Sequence, residues 1–309
     1  LVYNGELYNY LSLRDRLAER LRTVSDTEVV LQACRTWGPA ALKRFDGMWA
    51  AGVVDTQTRT GFLSRDPFGI KPLYHAVFDR KLVFASELRV LVGLLDAPPE
   101  IDPQAVACYL QLGYVPHPMT IYRHIYKLPP GHFLPFGPQS PGEPQRYHRL
   151  ATPPMVAPSY ADACGELRRL IEGAVVRQCV ADVPLGAFLS GGLDSSVVVA
   201  CMAGRSGPPI QTFSVGYADH SRYDETNYAR QVAGHFRTEH HEFRLTFADI
   251  LGAVEPMLAH AGEPFADSSL LPTALLSGHT RQHVTVALSG DGGDRKSVGE
   301  GKREDVGGR

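Results

Sequence analysis

The heptad SGGLDSS, Ser190 to Ser196, gathers two glycines, three serines and an aspartate between two apolar runs. VPLGAF ahead of it predicts a buried strand, and the valine-rich stretch behind it predicts a helix over Ser195–Met202. Ser190–Asp194 is then a strand-to-helix turn. Such a turn aims free backbone N–H groups at whatever sits above it. Glycines let the backbone approach a ligand, hydroxyls add donors, and the positive end of the helix dipole favours an anion. A phosphate group meets all three conditions. The plain alternative is a connecting turn with Asp194 as N-cap; the complete heptad in this setting favours phosphate. The loop is not a Walker A motif, since no G-x-x-x-x-G-K-S/T pattern occurs and VGEGKR at Val298–Arg303 does not fit it.

Three further stretches carry potential chemistry. VALSGDGGD, Val286–Asp294, is a second glycine-bearing loop behind an apolar run. YNGE, Tyr3–Glu6, contains Asn-Gly, whose plain reading is a hairpin turn. EHHEFRLT brings His240, His241 and Glu242 together, but on a strand His240 and His241 point to opposite faces, which favours a structural or surface role over metal binding.

The elements that must position these residues fall into two halves. In the first, the LVYNG strand is followed by a helix carrying Leu13, Leu17 and Leu21. A second helix follows over Thr27–Trp37, capped by Ser25 or Asp26 and stopped by Gly38-Pro39. MWAAGVVD with RTGFLSRD, and LYHAVFD with KLVFAS, read as hairpins. This half is α+β. Phe136–Pro158 is rich in Pro, Gly and Ser and holds the predicted boundary, giving expected domains 1–150 and 151–294 and a tail 295–309. The second half alternates helix and strand, beginning with a helix over Ala161–Cys179, and implies a parallel sheet. Ligands of such sheets sit beyond the carboxyl ends of strands, where both glycine loops belong.

Composition narrows the function. With 44% hydrophobic and 21% charged residues, 309 residues suffice for two cores, and a formal charge of -2 gives nucleic-acid binding no electrostatic support. Five cysteines without C-x-x-C spacing fit reduced thiols in a cytoplasmic protein. No apolar run is long enough for a membrane span, and no signal peptide is seen. Small-molecule partners are expected, and a homodimer is compatible with the reading.

SGGLDSS resembles the pyrophosphatase loop of the PP-loop enzymes, which cleave ATP between its α and β phosphates to activate an acid. The resemblance narrows to the glutamine-hydrolysing asparagine synthetases through six pieces in order: YNGELYN, RDPFGIKPLY with FASEL, TIYRHIYKLPPGH, FLSGGLDSS, TFSVGY and VALSGDGGD. It implies an α+β, Ntn-hydrolase-like class II glutamine amidotransferase domain, then an α/β parallel-sheet PP-loop domain of the adenine nucleotide α hydrolase type, both incomplete. It also implies that Ser190, Gly191, Gly192, Asp194, Ser195 and Ser196 hold the pyrophosphate part of ATP. Leu189 and Val215 would line the nucleoside, Ser289 and Gly290 would complete the site, and Asp194 and Asp294 would hold Mg2+. Asp291 stands where many family members have Glu, in a catalytic position. In the first half, Asn4 and the Gly5 N–H would form an oxyanion hole, with Glu6 and Asp26 on the glutamine ammonium. The substrates would be glutamine, aspartate and ATP. EPFADSSLLP, Glu263–Pro272, matches a loop near the substrate pocket or a plain capping loop.

The resemblance also sets expectations for the ends. The family's N-terminal cysteine nucleophile is not ahead of YNGE, and RKSVGEGKREDVGGR replaces the family's run after GDGGD. The chain as written is therefore expected not to hydrolyse glutamine and to bind ATP weakly at best, with a non-native, disordered tail. Two alternatives stay open: a related amidotransferase acting on a sugar, peptide or antibiotic precursor, and a non-catalytic nucleotide binder.

Overall fold

The computed structural model describes residues 1–17, 21–95, 97–138, 141–150, 158–205, 207–219 and 224–291. Asp294, VGEGKR and the expected disordered tail lie outside the described residues, as do residues 151–157 of the predicted boundary. The chain divides into two compact units, Leu1–Met155 with Leu258–Asp267, and Val156–Met257 with Ser268–Arg309.

The first unit runs β1 (Val2–Leu7), α1 (Tyr10–Arg14), α2 (Asp26–Trp37), a 3-10 turn over Gly38–Arg44, β2 (Gly47–Asp55), β3 (Thr60–Arg65), β4 (Tyr74–Phe78), β5 (Lys81–Ala85), α3 (Leu88–Val92), α4 (Pro103–Leu112), β6 (Ile125–Lys127), β7 (His132–Phe136) and β8 (Gln145–Arg146). Two antiparallel sheets result, ordered β1-β2-β3-β7-β8 and β5-β4-β6. Alternation along the strands decides the layers. Trp49 and Ala51 of β2 face α2 in one core with Val29, Val30 and Ala33, while Ala50 and Leu63 face the other way and meet Leu82 and Phe84 of β5. The far face of the smaller sheet, with Ala76, packs on Leu88, Leu91 and Ala105. The order of layers is helix, sheet, sheet, helix.

Local signals explain most boundaries. Ser25 caps α2 by accepting the Thr27 N–H, and Gly38 ends it at φ 56°. The β4–β5 hairpin turns through Asp79 and Arg80, both at positive φ. The helix expected to carry Leu13, Leu17 and Leu21 ends at Arg14; Leu17 is still buried, placed by a turn in which its N–H bonds the Arg14 carbonyl. RDPFGIK forms a hydrogen-bonded knot around one buried carboxylate. The Asp66 carboxylate, fully buried, accepts N–H groups from Trp49, Phe68, Ile70 and Lys71, while the Arg65 guanidinium donates to the carbonyls of Gly69, Lys71 and Leu128.

The second unit runs α5 (Tyr160–Gln178), β9 (Leu185–Phe188), α6 (Leu193–Ala203), β10 (Gln211–Tyr217), α7 (Thr226–Phe236), β11 (Glu239–Leu245), α8 (Phe247–Ala261), whose last turn belongs to the first unit, α9 (Leu270–Thr280) and β12 (Val286–Leu288). Its sheet is wholly parallel, ordered β11-β10-β9-β12. α5, α6 and α7 cover one face through Val175, Val199, Met202, Ala229 and Ala233, and Leu276 of α9 covers Phe213 on the other. The strands run outward from β9 in sequence, and β12 then returns on its other side. The reversal of strand order thus lies between β9 and β12, where ligands of open α/β sheets bind.

Candidate functional site

The two strands flanking that reversal end in the two glycine loops. Beyond their carboxyl ends lies a cleft of about 350 Å³, lined by Phe188, Ser190, Gly192, Leu193, Asp194, Ser195, Thr273, Leu276, Ser289, Gly290 and Asp291. The loops touch. A Cβ built on Gly290 would fall 2.6 Å from the Ser195 nitrogen and 2.8 Å from the Asp194 carbonyl carbon, so only a residue without a side chain fits there. Gly191, at φ 84°, turns the first loop back against the backbone of Tyr228 and Ala229 on α7.

The serines divide their work. The Ser195 hydroxyl, nearly buried, accepts from the Ser190 N–H, lies 3.0 Å from the Ser190 hydroxyl and donates to the Gly192 carbonyl. The Ser196 hydroxyl donates to the same carbonyl at 2.7 Å. These contacts, with the Gly192 N–H donating to the Ser190 hydroxyl at 3.2 Å, shape the loop. The N-cap of α6 is Gly192 rather than Asp194, and no side chain caps the helix. Its first-turn N–H groups therefore face the cleft with the positive end of the helix dipole, an arrangement suited to phosphate.

Asp194, in the first turn of α6, and Asp291 both line the cleft, and the Asp291 carboxylate accepts from the Ser289 hydroxyl at 3.0 Å. Asp294, its expected partner in holding Mg2+, lies outside the described residues. Among the described residues no three His, Cys, Asp or Glu side chains gather closely enough to hold a metal ion. Leu189 is buried and gives its N–H to the Phe213 carbonyl; Val215 packs with Phe213 and Leu276 on the α9 face. His240 meets the hydroxyls of Thr212 and Ser214, while His241 stacks on Phe213 from the opposite face and lies 4.1 Å from the His283 ring. Burial holds both histidines below their ordinary range. Thr273 and Leu276 of α9 enter the cleft wall without any motif to announce them.

In the first unit, YNGE is strand, not turn. Asn4 pairs with Ala50, Gly5 with Trp49 and Glu6 with Met48. β1 is an edge strand. The Tyr8 N–H reaches the Asp46 carbonyl on the β2 side, while the Leu7 N–H goes outward to the Asp26 carboxylate at 2.9 Å. By alternation the Gly5 N–H also points to the edge of the sheet, where no strand among the described residues pairs with it. Asn4 and Glu6 lie on the strand face between the sheets; the Tyr3 side chain goes the other way, and its hydroxyl donates to Asp26 at 3.3 Å. Burial, and then the Asp26 charge, keep the Tyr3 phenol protonated far above its ordinary range. The Asn4 amide nitrogen donates to the Ser86 hydroxyl at 3.0 Å, a contact the sequence did not signal.

The glutamine amidotransferase domain model matches residues 1–148, and the asparagine synthase model matches residues 166–303. A Methanocaldococcus jannaschii protein provisionally named asparagine synthetase (glutamine-hydrolyzing) 2 is 37% identical over 299 residues, covering 95% of this chain and 57% of that one. A Mycobacterium tuberculosis protein with a similar provisional name is 35% identical over 304 residues, covering 95% and 46%. Asparagine synthetase (glutamine-hydrolyzing) 1 of Bacillus subtilis is 32% identical over 297 residues, again covering 95% and 46%. The chain spans about half the length of these curated relatives. With both family models matched in order and relatives at this level along almost its whole length, the chain belongs to the glutamine-hydrolysing asparagine synthetase family.

Proposed function

We propose that the chain carries parts of both halves of an ATP-dependent asparagine synthase that takes ammonia from glutamine. The observation that carries the reading is the contact of Gly290 with the Asp194–Ser195 backbone, which joins two sheet-edge loops in one cleft at the strand-order reversal. In this cleft the Gly191 N–H and the first-turn N–H groups of α6 are the backbone donors to the β and γ phosphates of ATP, the Ser190 and Gly192 N–H groups being held by the hydroxyls of Ser195 and Ser190. The aspartate side-chain carboxylate attacks the α phosphorus; β-aspartyl-AMP forms and pyrophosphate leaves. Ammonia then attacks the acyl carbon, AMP departs and, with loss of a proton, asparagine is formed. Positioning and charge neutralisation supply most of the acceleration. Asp291, which lines the cleft, is the residue assigned to take that proton.

Mg2+ would neutralise the triphosphate charge, with Asp194 and Asp294 as its oxygen ligands. The described carboxylate fits: Mg2+ is usually held by one or two carboxylates together with substrate phosphates and water, not by an all-protein cage. At the other site Asn4 and the Gly5 N–H receive the oxyanion formed as glutamine is hydrolysed to glutamate and ammonia, and Glu6 with Asp26 hold the substrate ammonium.

The test is exchange of labelled pyrophosphate into ATP by the intact gene product, with aspartate and a panel of other carboxylic acids. Aspartate-dependent exchange is expected. Exchange driven by another acid alone overturns the acceptor, and exchange with none overturns the enzyme reading.

A further inference from the structure

We infer that Ser86 is a positioning residue for glutamine hydrolysis, acting through Asn4; the inference rests on the glutaminase reading above. Asn4 is exposed on an edge strand, and its amide is attached through a terminal torsion that is intrinsically broad. An oxyanion donor of that kind needs an anchor, because a donor that wanders loses most of its value when charge develops. Ser86 is placed to supply it. The residue follows β5, whose Ala85 pairs with Tyr74, and precedes α3, whose Leu88 and Leu91 are buried in the core beneath. Strand and helix thus fix the Ser86 backbone from both sides. Its half-buried hydroxyl accepts one hydrogen of the Asn4 amide at 3.0 Å.

An amide nitrogen carries two hydrogens, so this bond fixes the plane of the Asn4 side chain and leaves one N–H for a ligand. The neighbouring Gly5 N–H is aimed at the strand edge by the β1–β2 register. The two donors are then held by different devices, Gly5 by the ladder and Asn4 by Ser86, although 82 residues separate Asn4 from its anchor.

The experiment measures glutamine hydrolysis by the intact gene product carrying Ser86→Ala, Ser86→Thr or Asn4→Ala, with ammonia-dependent asparagine formation measured in parallel as a check on the fold. Removing an oxyanion donor outright lowers kcat by about 10²–10³. Ser86→Ala leaves the donor but loosens it, so kcat should fall about 10-fold with KM for glutamine moving less than about twofold. Ser86→Thr keeps the hydroxyl and should restore most of the rate. A Ser86→Ala kcat within about twofold of wild type overturns the inference, as does a Thr variant as slow as the Ala variant. An unimpaired Asn4→Ala enzyme overturns instead the glutaminase reading on which the inference stands.

Discussion

Gly290→Ala puts the convergence of the two loops to the test. The added methyl would meet the Ser195 nitrogen at 2.6 Å, the Asp194 carbonyl carbon at 2.8 Å and the Asp194 Cβ at 2.9 Å, whereas ordinary contact begins at 3.4 Å. The nearest groups are backbone, which cannot swing aside as the end of a long side chain can. Nor is either loop free to drift: Leu288 is paired with Ala187 in the sheet, and the Leu189 N–H is bonded to the Phe213 carbonyl. The loops must therefore part by roughly 0.8 Å across the phosphate site, and a misplacement near 1 Å costs on the order of 10²-fold where geometry sets the rate. Aspartate-dependent pyrophosphate exchange by the intact gene product should fall by about that factor, equivalent to about 2.7 kcal/mol. Gly204→Ala, at the far end of α6 from the cleft, is the control, since a Cβ there meets nothing closer than the Cys201 carbonyl oxygen at 3.7 Å and Gly204 already has a right-handed helical conformation open to any residue. Thermal unfolding of both variants separates local displacement from loss of fold. Gly290→Ala exchange within about twofold of wild type, in a folded protein, would refute the idea that this contact sets the phosphate site.

Two other expectations concern stability. Burial depresses the pKa of His75 to about 4, below its ordinary 6.5. Between those values the unfolded chain binds a proton that the folded chain refuses, so this stabilisation is full above pH 6.5 and lost as pH falls toward 4. The loss amounts to about 3 kcal/mol. Urea midpoints at pH 7 and pH 4.5 should therefore differ less in His75→Phe than in wild type, and equal differences would contradict the assignment. Lys127 and Glu263 form an ion pair with side chains only 13% and 11% exposed, and Glu263 also accepts the Ile121 N–H. Lys127→Met leaves that carboxylate without its cation and should destabilise by about 3 kcal/mol, with part regained on adding Glu263→Gln. A single variant within about 0.5 kcal/mol of wild type in denaturant titration would show that solvent reaches the pair after all.

What could be read from the sequence follows from where each signal is encoded. β9 is flanked by layers on both faces and so reads as an unbroken apolar run, LGAF, whereas β10, TFSVG, is covered on both faces yet alternates, with Thr212 and Ser214 buried between apolar neighbours. The β4–β5 hairpin announces itself through Asp79 and Arg80. β7 does not: HFLPF, with a proline inside it, lies between KLPPG and the Pro-, Gly- and Ser-rich stretch that begins at Phe136, and it becomes strand because Leu134 reaches a core shared with Leu63 of β3 and Leu73. The same division holds for the sites. SGGLDSS suggests phosphate binding because its glycines and hydroxyls sit at a strand-to-helix turn, whereas YNGE suggests an oxyanion hole only through the family resemblance. Yet the plain reading of YNGE, a hairpin turn, fails for a non-local reason: pairing with Trp49 and Met48 holds it extended. Ser86 beneath Asn4, Thr273 in the cleft wall and Glu263 against Lys127 are each brought in by sheet register or by a segment returning from far along the chain. Residues that act directly are legible from local pattern, whereas residues that hold them in place become legible only once strand order is known. Substitutions at this second class should thus lower rates or stability while leaving the recognisable motifs intact, which is the behaviour expected of Ser86→Ala.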